Sequence, residues 1–398
     1  MKNKLNVENF ISSRVKNIQV SAIRQMPILA SKISDVISLG QGIPDLKTPR
    51  YVREGVIDLL KNSNDIGKYS LQPGLPELKK IIAETLSEKG NLKVDPEEEI
   101  CITAGAMEAL AIAICSIIES GDEVIIFNPG YPSYIEQILF AGGKPVPVPL
   151  LEDKGWKPDM EKLREVVNKK TKAIIICNPS NPTGAVWDQD DLDTIVACAE
   201  EYNLILITDQ TYEFLVYDGK TVPSFLAYTS IKDQLIICSG FSKEYAMTGW
   251  RVGYLYAPAK ILEQALKIHD SFVICAPTIS QYAALIALTQ KPKNQEEDIR
   301  ADLESKRDIV CERLDRLGDL FSYRKPEGAY YILARYKKTK LNSWDFAIKL
   351  LNEAKVIGIP GSAFGSLGEG CIRFSYGTSI ENIHTAFDRI EEWNKGLK

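Results

Sequence analysis

Histidine is nearly missing from this chain: among 398 residues there are only His269 and His384. Both fall in stretches of helical pattern with nothing metal-like around them. That argues against a zinc centre and against a Ser-His-Asp triad, so proton transfers in an enzyme of this composition fall to Lys, Tyr, Asp or a cofactor. Paired cysteines are missing too. The eight cysteines, Cys101, Cys115, Cys177, Cys198, Cys238, Cys275, Cys311 and Cys371, are scattered, without a CxxC motif and with mostly apolar neighbours, which is the pattern of reduced, buried thiols in a reducing compartment. No apolar run approaches membrane-spanning length. Met1–Phe10 alternates polar and apolar residues where a secretory signal needs a continuous apolar stretch, so a cytosolic protein with no membrane partner is expected. The net charge of −5 has no long basic run behind it, and the footprint of a nucleic-acid binder is absent.

What is present suits a soluble enzyme. With 45% hydrophobic and 25% charged residues, the chain can bury substantial cores and is long enough for two domains. From about residue 100, short apolar runs alternate with amphipathic segments of helical length, which points to an α/β domain with a largely parallel sheet. The runs are Glu99–Thr103, Glu123–Phe127, Ala173–Cys177, Leu204–Thr208, Leu235–Cys238 and Val252–Ala257. Their Ile, Val and Leu content implies strands covered on both faces. Helix candidates such as Asp190–Tyr202 lie between them. After about residue 290 a long charged helix candidate, Gln295–Leu317, leads into short strands around Ala329–Ala334 and Cys371–Ser375, the pattern of a smaller α+β domain. The expected division is an N-terminal arm and small-domain segment (1–45), a large domain (46–290) and a small C-terminal domain (291–398). The arm has no strand pattern before Val36–Leu39 and could pack on either domain or on a partner subunit.

In open α/β sheets ligands sit beyond the carboxyl ends of the strands, and here those positions are rich in chemistry. The first run ends in Thr103-Ala104-Gly105-Ala106-Met107 before an Ala-rich helix whose free amides at Ala106 and Met107 could hold a phosphate. Later runs end in Asn128-Pro129-Gly130-Tyr131-Pro132, in Asn178-Pro179-Ser180-Asn181-Pro182-Thr183-Gly184, in Asp209-Gln210-Thr211-Tyr212 and in Ser239-Gly240-Phe241-Ser242-Lys243, with Arg251 following. Singly, each has an ordinary account: a turn for Gly105 and for Asn181-Pro182-Thr183-Gly184, an interface aromatic for Tyr131, a helix cap for Asp209, a solvated surface lysine for Lys243.

Together, Asn-Pro-x-Asn-Pro-Thr-Gly, Asp-x-x-Tyr and the stretch from Ser242 to Tyr254 (Ser-Lys-x-x-Ala-Met-Thr-Gly-Trp-Arg-x-Gly-Tyr) resemble the class I and II aminotransferases, bacterial aspartate and aromatic aminotransferases among them. The resemblance runs from about Ile37, in Ile37-Ser38-Leu39-Gly40-Gln41-Gly42, to Cys371-Ile372-Arg373-Phe374-Ser375. It implies pyridoxal-phosphate fold type I, with a largely parallel seven-stranded sheet in the large domain beside a smaller α+β domain. It also implies pyridoxal 5′-phosphate carried on Lys243 as a Schiff base, Lys243 then shuttling the proton as general base and acid. Asp209 would pair with the pyridine nitrogen. Tyr212 and Asn181 would bond the phenolate oxygen, and Tyr131 would stack on the ring. Gly105, Ala106, Met107, Ser239, Ser242 and Arg251 would hold the phosphate, although many relatives place a serine at the position of Gly240. Arg373 would grip the substrate α-carboxylate beside Gly40, Tyr131 and Asn181. Tyr69 matches a tyrosine that relatives lend to the neighbouring subunit, implying a homodimer.

The implied reaction moves an amino group from an α-amino acid to a 2-oxo acid. The same framework also resembles C–S lyases, ACC synthases and amino-acid oxidases, which the core motifs do not separate. Met107 replaces a lysine common in bacterial aspartate enzymes, favouring a neutral or aromatic donor with 2-oxoglutarate or pyruvate as acceptor. Gln210 replaces a glutamate common in relatives. A nucleotide-dependent dehydrogenase fails, because Pro44 and Asp45 follow Gly40 and Gly42 where a third glycine and a helix start are needed. A regulatory effector-binding version of the fold would need a DNA-binding module, for which the length leaves no room.

Overall fold

The computed structural model describes residues 7–16, 18, 20–90 and 92–396. Most of the segment read against a secretory signal, residues 1–6, lies outside the described residues. In chain order the strands are β1 (Ile37–Ser38), β2 (Ile100–Thr103), β3 (Glu123–Asn128), β4 (Lys144–Leu151), β5 (Lys157–Pro158), β6 (Thr171–Cys177), β7 (Ile205–Asp209), β8 (Leu235–Gly240) and β9 (Gly253–Tyr256). They continue with β10 (Phe321–Tyr323), β11 (Tyr331–Tyr336), β12 (Val356–Ile357), β13 (Ile359–Pro360) and β14 (Cys371–Ser375).

The six apolar runs become β2, β3, β6, β7, β8 and β9 of one large sheet, ordered β2-β9-β8-β7-β6-β3-β4-β5. The central pairs are parallel, whereas β9 runs against both β8 and β2. The strands read as continuous apolar runs because both faces are covered. Along β6, Ile174 and Ile176 join one core while Ala173 and Ile175 join the core on the opposite face, against the helix Ala106–Ile117.

β4 does not stand out as an apolar run, because Pro145, Pro147 and Pro149 interrupt it. It nevertheless pairs with β3 along its length, and only the two-residue β5 lies beyond it. Prolines at alternate positions all withhold their missing N–H groups on one side of the strand. The intervening Val146, Val148 and Leu150 serve the other side, so the arrangement suits a strand near a sheet edge. With β4 the sheet has the expected seven strands, and β5 adds a short eighth.

The C-terminal part forms a four-stranded antiparallel sheet, β10-β11-β14-β13, and β1 pairs with β12. The long charged helix spans Gln295–Arg316. Met26, Ala30 and Leu39 of the N-terminal segment share the core around this sheet with Tyr212 and Leu215 from the loop after β7. Among the described residues no helix is long and apolar enough to cross a membrane, and all eight cysteines are free thiols.

Candidate active site

Because β3, β6, β7 and β8 are parallel, their carboxyl ends open at one edge of the sheet, and a cavity of about 500 Å³ lies there. Ala106, Met107, Tyr131, Asn181, Asp209, Tyr212, Ser242, Lys243, Arg251 and Arg373 all line it. Residues from five strand ends of the large sheet thus converge with Arg373 of β14.

Lys243 donates from Nζ to the carbonyl of Gly42. Burial, reinforced by the Arg373 and Arg251 charges, lowers its pKa to about 8, and only Asp209 among the named influences opposes this. An appreciable fraction of the amine is therefore uncharged near neutrality, far more than in a free lysine, which is the property a covalent-catalysis lysine needs. Asp209 accepts from the Tyr134 hydroxyl at 2.8 Å, and from the backbone amide and hydroxyl of Thr211 at 3.1 and 2.5 Å. Burial pushes its carboxyl up, while the Thr211 and Tyr134 bonds and the Lys243 charge pull it back. It is a buried acid dressed by neutral donors and suited to a cationic ligand.

Arg373 is 1% exposed, yet among the described residues it meets no carboxylate partner. One guanidinium nitrogen donates to Asn181 Oδ1 at 2.9 Å and another to the Gly40 carbonyl at 2.7 Å, while Nε is unpaired. Its Cζ lies 4.4 Å from the Tyr331 ring centre and 4.7 Å from that of Phe364. A buried cation bonded only to neutral oxygens lacks the anion that would offset its desolvation, so the site is made for an anionic ligand. Gly40 packs so tightly that an added Cβ would sit 2.8 Å from Ile357 Cγ2, which explains the glycine where its carbonyl meets the arginine.

Opposite lies an anion cradle. The helix Ala106–Ile117 starts at Gly105, whose φ of +87° suits only glycine, and an added Cβ would stand 2.5 Å from an Arg251 nitrogen. Arg251 itself adopts φ +53° and donates to the carbonyls of Thr248 and Ala104 at 3.0 and 3.2 Å. Ala106 and Met107 of the first helical turn line the cavity together with Ser242 and Arg251, and free helix-start amides beside a guanidinium suit an anion. Glu108 braces it from below: it accepts from the Ala104 amide and holds His269 Nδ1 at 2.7 Å. His269 is thus a buried structural residue, with Nε2 3.1 Å from the Gln72 carbonyl.

Four expected residues are not part of the cavity lining: Gly40 and Gly105 adjoin it behind Arg373 and Arg251, while Ser239 and Tyr69 stand apart. Ser239 does not line this cavity but a neighbouring one of about 330 Å³, whereas Gly240, the next residue along β8, borders both. Gln210 faces the same second cavity, so its departure from glutamate leaves the lining of the first unchanged. Tyr69 is 75% exposed and also lies off the cavity of its own chain. Several lining residues escaped sequence reasoning: Tyr134, Thr211, Arg24 and Tyr331. Tyr134 follows Tyr131 by one helical turn, a spacing that could have flagged it. Arg24 and Tyr331 carry no local signal, since they arrive from distant parts of the chain.

The class I and II aminotransferase model matches residues 34–390. The aspartate aminotransferase of Pyrococcus abyssi is 39% identical over 385 residues, covering 96% of this chain and 97% of the relative. The aromatic-amino-acid aminotransferase 2 of Thermococcus litoralis is 37% identical, covering 98% of this chain and 99% of the relative. The solved structure of an alanine aminotransferase from Pyrococcus furiosus superposes with a TM-score of 0.90 at 31% identity, covering 97% of this chain and 100% of that one. Matches of this extent span both sheets and every element that contributes to the cavity, and they make the chain a member of the class I and II aminotransferases.

Proposed function

We propose that the cavity binds pyridoxal 5′-phosphate and transfers the amino group of an α-amino acid to a 2-oxo acid. The observation that carries this reading is the convergence on one cavity of a low-pKa lysine, a buried aspartate and a buried arginine without an anion. The residues fit the cofactor. The Gly105 cradle with Arg251 and Ser242 suits its phosphate, Asp209 its ring nitrogen, Tyr212 and Asn181 its ring oxygen, and the Tyr131 ring its face. Bound there, the cofactor supplies an electron sink for the substrate carbon. Arg373, with Asn181 and the Gly40 carbonyl, orients the α-carboxylate. Lys243 then removes and returns the substrate proton from a position that water reaches poorly.

Met107 puts no positive charge at the substrate end, whereas Arg24, from the helix Ala22–Ala30, stands exposed at the mouth. This favours a neutral or aromatic donor deep in the cavity and an acceptor such as 2-oxoglutarate, whose distal carboxylate meets Arg24. Eight free thiols suit a cytosolic protein. The core that Met26 and Leu39 share with the four-stranded sheet supports assigning residues 1–45 and 291–398 to one small domain and 46–290 to the large one.

Protein saturated with pyridoxal phosphate should be yellow, and borohydride should fix the cofactor to Lys243. A panel of amino acids should then convert the visible band to that of the aminated cofactor, and a 2-oxo acid should restore it. A protein that gains no band with added cofactor overturns the reading, and release of ammonia without conversion of the cofactor overturns transamination.

A further inference from the structure

Behind Tyr212 the structure holds a second hydroxyl with no role in the reading above. Tyr331, at the start of β11, is 1% exposed, and its hydroxyl oxygen lies 2.6 Å from that of Tyr212. Its ring meets Tyr212 edge-on, with centres 5.6 Å apart, and covers the Arg373 guanidinium. The neighbouring Tyr330 has already given its proton to the Gly42 carbonyl at 2.8 Å.

Each hydroxyl has one proton to donate and two lone pairs to receive with. Between Tyr212 and Tyr331 a single proton makes the bond. If Tyr212 is to donate to an acceptor in the cavity, the shared proton must come from Tyr331. A phenol that accepts one hydrogen bond donates a stronger one, because the two bonds polarise each other. Burial disfavours ionisation of both tyrosines, so the pair acts through neutral donation.

We propose that Tyr331 is a positioning residue that donates its hydroxyl proton to Tyr212, thereby aiming the Tyr212 proton into the cavity at the ring oxygen of the cofactor. This rests on the cofactor assignment above. It also ties two parts of the site together: the ring that covers Arg373, where the substrate carboxylate is expected, carries the hydroxyl that sets the Tyr212 bond. A hydrogen bond to the ring oxygen withdraws electron density and loosens the proton on the cofactor's nitrogen link to Lys243. Weakening that bond therefore raises the pH at which the link loses its proton.

The test is a pH titration of the visible band of the holoenzyme. Tyr331→Phe keeps the ring over Arg373 and removes only the hydroxyl. Its midpoint should rise by about half a pH unit or more, in the same direction as the larger rise in Tyr212→Phe. The double variant should titrate like Tyr212→Phe alone, since a residue acting through another adds nothing once that other is gone. An unchanged midpoint in Tyr331→Phe, or additive shifts in the double variant, overturns the proposal. An equal or larger rise in Tyr330→Phe does so as well, because a general change of cavity polarity would then suffice. If Tyr331→Phe does not accumulate as folded protein, 3-fluorotyrosine at position 331, a stronger donor of nearly the same shape, should lower the midpoint, and an unchanged midpoint there overturns the proposal. Failure of the wild type to gain a visible band is a separate result, and it strikes the cofactor assignment itself.

Discussion

A lysine amine that is buried, with the charges of Arg373 and Arg251 nearby, gives up its proton more readily than one in water. With a pKa of about 8, Lys243 is largely protonated below that pH and free above it. The neutral amine is the nucleophile, so uptake of pyridoxal phosphate by the apoprotein should speed up as pH rises through about 8 and level off beyond. Arg373→Leu removes one of the charges that oppose protonation, and the midpoint should move upward. Stopped-flow absorbance at a series of pH values measures both effects, and a rate that ignores pH between about 6 and 10 would contradict the assignment. Lys243→Ala should abolish covalent attachment and leave the folded core intact, since the side chain makes a single hydrogen bond, to the Gly42 carbonyl.

Two helix starts behave differently under mutation because they do different work. The helix Gln189–Tyr202 opens with a capping box in which the Asp188 side chain accepts from the Asp191 amide, while Asp191 accepts from the Asp188 amide. Asp188→Ala should lower stability by about 1 kcal/mol in urea titrations, with cofactor affinity unchanged. The helix Ala106–Ile117 opens at Gly105 without a side-chain cap and leaves its first amides free to face the cavity. Gly105→Ala forces a side chain into a backbone conformation costing about 1–3 kcal/mol and pushes against Arg251. It should weaken retention of pyridoxal phosphate, read by equilibrium dialysis, as well as stability. Unaltered cofactor retention in a folded Gly105→Ala protein would count against the phosphate cradle.

At the level of the molecule, several large apolar side chains gather on an exposed surface. Tyr69 and Leu71 are 75% and 65% exposed, and Phe272 and Ile274 are 58% and 45% exposed. They belong to one region, because the loop carrying Tyr69 is tied to the helices behind it: Gln72 donates to the Leu266 carbonyl at 2.7 Å, and Thr278 donates to the Lys68 carbonyl at 2.7 Å. An apolar patch of this kind marks an association surface, and we expect a two-fold dimer in which Tyr69 reaches the partner's phosphate cradle. Sedimentation should give twice the 44.4 kDa chain mass. Leu71→Glu combined with Phe272→Glu should give monomers that hold the cofactor poorly, and a monomeric wild type would remove the shared site.

The parts of the site legible in the sequence are those whose position follows from local order. Lys243, Asp209, Asn181, Tyr131 and the amides after Gly105 each come directly after an apolar run, and the ends of parallel strands open at a common edge whatever the details of the fold. The charged helix Gln295–Arg316 and strand β14 were legible for the same reason, since their periodicity lies within a few residues. Strand β4 was hidden by its prolines, whose compatibility with pairing depends on which side of the strand faces the sheet. Ser239 and Gly240 show the same limit at a single step, where the placement of the strand and not the residue type decides which of two neighbours borders the cavity. Arg24, Tyr331 and the unpaired state of Arg373 belong wholly to the tertiary structure. They meet the strand ends only because the N-terminal segment and the four-stranded sheet fold back over the edge of the large sheet, a contact between residues hundreds of positions apart that no local pattern encodes.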